Sequence, residues 1–216
     1  MNINQYIDHT LLKPQAVADD INTLCEEAIS HNFYAVCLNG CYVAQAVKLL
    51  QHTAVKVAAV IGFPLGAMAT KAKVFEATQA IADGADEIDM VLNIGWLKAG
   101  DHDSVEKEIK EIKTAIGEKV LKVIIETCFL NGTEKKVACQ LCVNAGADFV
   151  KTSTGFGTGG ATMDDIELMK EEVGNMVKIK ASGGIKDYAT AKAYVDLGVS
   201  RIGTSSGVAI MLASKS

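Results

Sequence analysis

Two lysines sit inside stretches that read as buried strands: Lys151 in Ala147-Asp-Phe-Val-Lys-Thr-Ser-Thr-Gly155 and Lys180 in Val177-Lys-Ile-Lys-Ala-Ser-Gly-Gly184. Lysine is almost never fully buried without a partner. An apolar wall and a neighbouring ammonium both disfavour the charged amine, so such a pair can leave one lysine neutral and nucleophilic near pH 7. The chemistry this permits is Schiff-base formation with a carbonyl. Strand lysines whose ammonium groups snorkel to water at a rim would be the structural alternative. That account suits one lysine better than two at adjacent strand ends, each followed by a hydroxyl- and glycine-rich loop. Lys178, nearer the start of its strand than Lys180, does fit it and is expected to be solvated at the opposite rim.

The loops form a second constellation. Thr152-Ser-Thr-Gly-Phe-Gly-Thr-Gly-Gly160 follows the first lysine, Ser182-Gly-Gly184 the second, and Thr204-Ser-Ser-Gly207 opens the last helical stretch. Small residues and free N–H groups at helix starts make anion sites, so a phosphorylated ligand is expected there; tight turns are the structural alternative. Gly155-Phe-Gly-Thr-Gly-Gly160 also satisfies the G-x-G-x-x-G pattern of dinucleotide sites, but that pattern belongs in the first βα turn of an open sheet. Asp8 and His9, near the end of the first strand, are placed to reach the same mouth. Asp8 either orients Lys180 or a substrate hydroxyl, or caps a turn. Cys37 and Asn39 close the second strand and are expected to shape the pocket.

The elements that must position these groups repeat along the chain. Three junctions are nearly superimposable: Ala82-Asp-Gly-Ala-Asp-Glu-Ile-Asp89, Asn144-Ala-Gly-Ala-Asp-Phe-Val-Lys151 and Asp196-Leu-Gly-Val-Ser-Arg-Ile-Gly203. In each, an amphipathic helix ends on a glycine suited to φ > 0 and a strand begins about two residues later. Strand-like runs occur at Ile7–Leu12, Ala35–Leu38, Val55–Gly62, Glu87–Asn93, Leu121–Thr127, Phe149–Thr154, Val177–Ser182 and Arg201–Thr204. Helical patterns fill 17–31, 41–52, 67–83, 103–116, 133–145, 162–173, 187–197 and 205–213, with Thr133, Thr162 and Asp187 as caps.

Eight such alternating units match a closed (β/α)8 TIM barrel, an α/β fold, as a single domain over residues 1–216; an open doubly wound sheet is the competitor. Asp89 and Lys151 both stand five residues after their junction glycine, on strands four and six, and so share one inward layer. Lys180, on strand seven, is placed to approach both from a neighbouring layer.

Composition narrows the function. With 216 residues, 49% of them hydrophobic and 22% charged, the chain reads as one compact soluble domain. Its net charge of −5 argues against a nucleic-acid backbone as partner while leaving a small anionic metabolite as a suitable ligand. The amino terminus lacks a basic segment followed by an apolar run, and no stretch of about 18 apolar residues occurs, so a cytoplasmic protein without a membrane association is expected. The six cysteines do not form a secreted disulfide pattern, and Cys139-Gln-Leu-Cys142, mid-helix and without a second ligand pair, reads as structural. His31, His52 and His102 read as helix-end or surface residues, and Glu106–Lys113 as a solvated helix face. Trp96 and Leu97 either cover the mouth or pack beneath a loop.

Seven segments in order, Asp8-His-Thr-Leu-Leu-Lys-Pro14, Val60-Ile-Gly-Phe-Pro-Leu-Gly66, Glu87-Ile-Asp-Met-Val-Leu-Asn93, Lys122-Val-Ile-Ile-Glu-Thr127, Phe149-Val-Lys-Thr-Ser-Thr-Gly155, Lys180-Ala-Ser-Gly-Gly184 and Arg201-Ile-Gly-Thr-Ser-Ser206, resemble the deoxyribose-phosphate aldolase family over essentially the whole chain. The resemblance implies a class I aldolase without metal or other cofactor, splitting 2-deoxy-D-ribose 5-phosphate reversibly into acetaldehyde and D-glyceraldehyde 3-phosphate. It implies Lys151 as the Schiff-base lysine, Lys180 as the lysine that lowers its pKa, and Asp89 as the acid/base carboxylate working with Lys180 and a water. Thr154, Gly155, Gly183, Gly184, Ser205 and Ser206 match positions around the phosphate, with Asp8 and Cys37 counted among the site residues.

The chain departs from some members in two places. Phe156 stands where a phosphate-contacting lysine can follow Thr-Ser-Thr-Gly, which implies weaker selectivity for phosphorylated substrate. The chain also ends Ala213-Ser-Lys-Ser216 without a terminal tyrosine, leaving the proton donor to the enamine unassigned. A monomer or homodimer acting on a small phosphorylated sugar is expected.

Overall fold

The computed structural model describes residues 2–214. Its strands are β1 (Ile7–Leu11), β2 (Ala35–Asn39), β3 (Lys56–Ile61), β4 (Glu87–Val91), β5 (Val120–Ile124), β6 (Phe149–Lys151), β7 (Lys178–Ser182) and β8 (Arg201–Thr204). All eight pair in parallel, each with the next and β8 with β1, so the sheet closes on itself and the open-sheet alternative is excluded. Around the barrel run α1 (Ala18–Ser30), α2 (Val43–Leu50), α3 (Thr70–Ala82), α4 (Ile94–Ala99), α5 (His102–Ile116), α6 (Gly132–Asn144), α7 (Met163–Val173), α8 (Tyr188–Asp196) and α9 (Gly207–Ala213).

Each strand has an apolar outward face. Val36, Leu38, Ile88, Met90, Leu121, Val123, Val150, Ile179 and Ile202 pack with helix residues such as Ile21, Leu24, Ile109, Ile112, Ile166 and Met169 in one continuous core. Each such side chain contributes roughly 1.5–3 kcal/mol relative to an exposed one. The junction glycines carry the expected left-handed backbone, with φ of 102° at Gly84, 77° at Gly146 and 98° at Gly198, so the three helix-to-strand transitions share one geometry.

The barrel interior is divided. Leu12, Cys37, Ala58 and Val60, with Phe63 against them, make a small apolar half on the side of β2 and β3, while β4 to β8, together with Asp8 of β1, turn charged side chains inward.

Several sequence-based boundaries shift. β6 stops at Lys151, because beyond it the chain leaves the ladder to form the loop above the site. An additional short helix, α4, occupies 94–99: Asn93 caps it by accepting from Trp96 N–H at 3.1 Å, and Gly100, at φ 76°, ends it. Leu97 is therefore buried in the core and Trp96 packs partly against it, instead of covering the mouth. Asn131, not Thr133, caps α6, exchanging hydrogen bonds of 2.9 and 2.8 Å with Glu134. Thr162 and Asp187 cap α7 and α8 as expected. In the charge run, Lys107 pairs with Glu111 on the solvated face. Glu108 instead turns inward to a buried pair with Lys73 at 2.8 Å, which spares both charges isolation in the core.

Candidate active site

Seven ionisable side chains from β1, β4, β5, β6, β7 and β8 stack inside the charged half of the barrel, all of them buried. At the base, Arg201 is paired through both terminal nitrogens with Glu87, at 3.2 and 3.0 Å, and its guanidinium lies 3.2 Å from the ring centre of Tyr34. Asp8 accepts from Arg201 through Oδ1 at 2.8 Å and from Lys180 through Oδ2. Lys122 stands 2.6 Å from both Glu87 Oε2 and Asp89 Oδ1. The other oxygen of Asp89, Oδ2, accepts from Lys151 at 2.7 Å and Lys180 at 2.8 Å. Lys151 and Lys180 are register partners on adjacent strands, level with one another across the ladder.

The third junction explains how Lys180 fits. Gly203 occupies the position that Asp89 and Lys151 hold in the other two repeats, and a Cβ there would lie 3.1 Å from Lys180 Cε. Strand β8 thus leaves room for the lysine of β7.

Charges of this kind are tolerated in a core only when paired, and the pairing here is uneven. Four cations, Lys122, Lys151, Lys180 and Arg201, face three carboxylates, Asp8, Glu87 and Asp89. The cluster is electrically balanced only if one amine gives up its proton. Burial opposes charge on every lysine. For Lys180 the carboxylates of Asp8 and Asp89 outweigh it and hold the ammonium above its ordinary pKa; for Lys122, Asp89 and Glu87 do the same. Lys151 has one carboxylate only. Burial, reinforced by the charge of Lys180, wins over Asp89 and its pKa falls. Burial would raise the two aspartates, but the lysines around them prevail: Asp89 lies well below the carboxylate range and Asp8 falls to about 2.

Of the four cations, Lys151 alone reaches the cavity above, a space of about 270 Å³ at the carboxyl ends of the strands. Thr154, Gly155, Gly183, Gly184 and Ser205 line it, as the anion-site reading expects. Ser206 does not: its N–H donates to Thr204 Oγ1 at 2.9 Å, and α9, which follows, has only seven residues. Nor is the Thr154 hydroxyl turned to the cavity as a free donor, since it and the Thr154 N–H both donate to Glu126. Two cavity-lining cations escaped the sequence reading, Lys13 and Lys186, both on exposed loops. Phe156 also lines the cavity, 51% exposed, with its ring edge-on to Phe63 at 5.3 Å.

Asp8 orients Lys180 and Arg201 and caps no turn. His9 points the other way, out of the barrel, where Nε2 stands 2.6 Å from Glu27 of α1 and the ring packs on Phe33; alternation along β1 turns Asp8 inward and His9 outward, and neither reaches the mouth, because Asp8 is the second residue of β1 and lies below the cavity. Cys37 lies under Asp89, Sγ to Oδ2 4.0 Å, where burial pushes its thiol pKa up. It supports the carboxylate from the apolar half and does not line the cavity. Lys178 is exposed at the start of β7. The glycines of 155–160 serve close packing: a Cβ on Gly160 would meet the Gly183 carbonyl oxygen at 2.2 Å, so the loops after β6 and β7 touch backbone to backbone. Cys139 and Cys142 are buried on α6, and burial raises the Cys139 thiol to about 12.

Residues 3–214 match the model of the DeoC/LacD family aldolases. The chain is 56% identical over 215 residues to a deoxyribose-phosphate aldolase of Brevibacillus brevis, covering 100% of this chain and 97% of that one. It is likewise 56% identical over 215 residues to a deoxyribose-phosphate aldolase of Thermococcus gammatolerans, covering 98% and 96%. Among solved structures, the aldolase QR15 superposes with a TM-score of 0.95 at 42% identity, covering 98% of this chain and 95% of that one. The deoxyribose phosphate aldolase of Aeropyrum pernix, described as tetrameric, superposes with a TM-score of 0.91 at 32% identity, covering 99% and 91%.

Proposed function

The chain belongs to the DeoC/LacD family of aldolases, and we propose that it cleaves 2-deoxy-D-ribose 5-phosphate reversibly to acetaldehyde and D-glyceraldehyde 3-phosphate through a Schiff base on Lys151. The observation that carries this reading is the position of Lys151, 3% exposed, at the floor of the cavity, as the least-compensated amine in a buried cluster with one cation more than it has carboxylates.

The residues divide the work. Neutral Lys151 attacks the aldehyde carbon C1, and loss of water gives an iminium. The proton of the C3 hydroxyl then leaves through water to Asp89 as the C2–C3 bond breaks; C3 becomes the aldehyde of the departing three-carbon product, and the bond's electrons pass to C2 and into the iminium to give an enamine. A proton added at C2 restores the iminium, and water releases acetaldehyde and free Lys151. Lys180 remains cationic, held by Asp8 and Asp89, and favours the neutral form of Lys151. Because its ammonium neighbours hold Asp89 far below the usual carboxylate range, it suits passing protons on more than storing one. No metal is needed in this sequence.

The phosphate would sit among Gly155, Gly183, Gly184 and Ser205, with Lys13 and Lys186 supplying positive charge where Phe156 supplies none. Thr154 and Ser206 then act by shaping their loops. No described helix is long and apolar enough to cross a membrane, and a cytoplasmic, single-domain enzyme working as a monomer or homodimer completes the proposal.

Incubation with acetaldehyde and borohydride, followed by peptide mass analysis, tests it. A two-carbon adduct on Lys151, absent from Lys151→Ala, is expected. A protein that binds phosphorylated sugar yet takes up no adduct would be a phosphate-binding barrel of another activity.

A further inference from the structure

Glu126 stands two residues beyond the end of β5 and combines two unfavourable features. Its backbone is left-handed, φ 53° and ψ 67°, a conformation costly for a residue with a Cβ. Its side chain is buried, and its hydrogen bonds come from uncharged donors: the Thr154 N–H at 3.2 and 3.3 Å and the Thr154 hydroxyl, with the Cys128 thiol 4.0 Å away. A buried carboxylate satisfied mainly by one threonine is a poor way to stabilise a fold. It is a good way to fix that threonine.

The fixing extends further. While donating to Glu126, Thr154 Oγ1 accepts from the Phe156 N–H at 3.0 Å, so one carboxylate determines the course of residues 154–156, the part of the loop that lines the cavity beyond Lys151. Gly157 then passes so close that a Cβ on it would stand 3.3 Å from Glu126 Cδ and 2.8 Å from Cys128 Sγ. On the other side, Ile125 N–H donates to Lys151 O and Thr127 N–H to Thr152 O, both at 3.0 Å, which ties the left-handed turn to the strand that carries the reactive lysine.

We infer that Glu126 is a positioning residue, a clamp that holds the 154–157 loop in one shape against the phosphate-bearing end of the substrate while leaving the amine chemistry to the cluster below. The inference rests on the aldolase reading for the identity of the substrate, but the clamping itself does not.

Two measurements on Glu126→Gln and Thr154→Val test it separately. The first is hydrogen exchange of peptides spanning 152–160, with no substrate present: faster deuterium uptake there in both variants, with the remainder of the barrel unchanged, is expected. The second compares 2-deoxyribose 5-phosphate with unphosphorylated 2-deoxyribose. Glu126→Gln should raise KM for the phosphorylated sugar by about tenfold, the scale of losing a charged hydrogen bond, with little change for the free sugar and an undiminished rate of Lys151 trapping by acetaldehyde. Unchanged exchange, or equal losses on both sugars, would overturn the clamp. An unsubstituted protein inactive on the phosphorylated sugar would instead sink the aldolase reading, and the exchange experiment would still decide the clamp.

Discussion

Lys151 and Lys180 donate to a single oxygen, Oδ2 of Asp89, at 2.7 and 2.8 Å. Two ammonium groups forced this close repel each other, and the proton is lost by the one with less to hold it. Lys180 has Asp8 as a second carboxylate; Lys151 has none and faces the cavity.

Replacing Lys180 by Leu removes the competing ammonium and frees Asp89 Oδ2 for Lys151. The Lys151 pKa should rise toward the ordinary lysine value, and each unit of rise lowers the neutral fraction at pH 7 about tenfold. The pH–rate profile for cleavage should therefore move to higher pH with a matching loss of rate at neutrality. A profile that falls in height without moving would contradict the electrostatic role.

Asp89→Asn separates imine formation from bond cleavage. The amide cannot accept a proton, so adduct trapping on Lys151 should persist while turnover falls by roughly 10²- to 10⁴-fold, the usual range for losing an acid–base group. Turnover close to that of the unsubstituted protein would remove Asp89 from the mechanism.

The charge imbalance makes two opposed predictions. Lys122→Met leaves three cations against three carboxylates, so Lys151 should hold its proton more tightly and the activity profile should move to higher pH. Glu87→Gln leaves four against two and should move it to lower pH. Both should cost stability, roughly 3–5 kcal/mol in chemical denaturation, because each strands a buried partner. Shifts in the same direction for both would show that the count of charges does not govern Lys151.

The barrel was legible because its signals are local and repeated: the same helix–glycine–strand junction at Gly84, Gly146 and Gly198 sets one register, and equal offsets from it placed Asp89 and Lys151 together. Lys122, Glu87 and Arg201 were passed over as site residues, although each stands two positions before an inward residue, Ile124, Asp89 and Gly203, and so faces inward too. A charged residue near a strand's start ordinarily reads as solvated; only barrel closure, which brings β1, β4, β5 and β8 across one interior, supplies its partners. Glu126 gave no signal, since its left-handed turn depends on how the loop after β6 returns. Lys13 and Lys186 are ordinary exposed lysines until two distant loops meet over the cavity.

Acid stability follows from Asp8. Its folded pKa of about 2 lies below the ordinary 3.8, because Lys180, Lys122 and Arg201 together outweigh the effect of burial. A depressed carboxylate contributes stability that is complete above its unfolded pKa and disappears as pH falls through the folded one, here on the order of 2 kcal/mol between about pH 4 and pH 2. Urea unfolding across that window should show a steep decline that Asp8→Asn, less stable at neutral pH, partly lacks. Parallel declines would remove Asp8 as a source of the slope.

The most direct test of the whole account is the titration of Lys151 itself, followed as the rate of cyanoborohydride-trapped acetaldehyde adduct at that residue from acid to alkaline pH. The account predicts a half-maximal rate at a pH well below the ordinary lysine range, because burial and the charge of Lys180 both disfavour the ammonium. A rate that climbs only as pH approaches the ordinary lysine value near 10.4 would show that Lys151 is cationic at neutral pH and would contradict it.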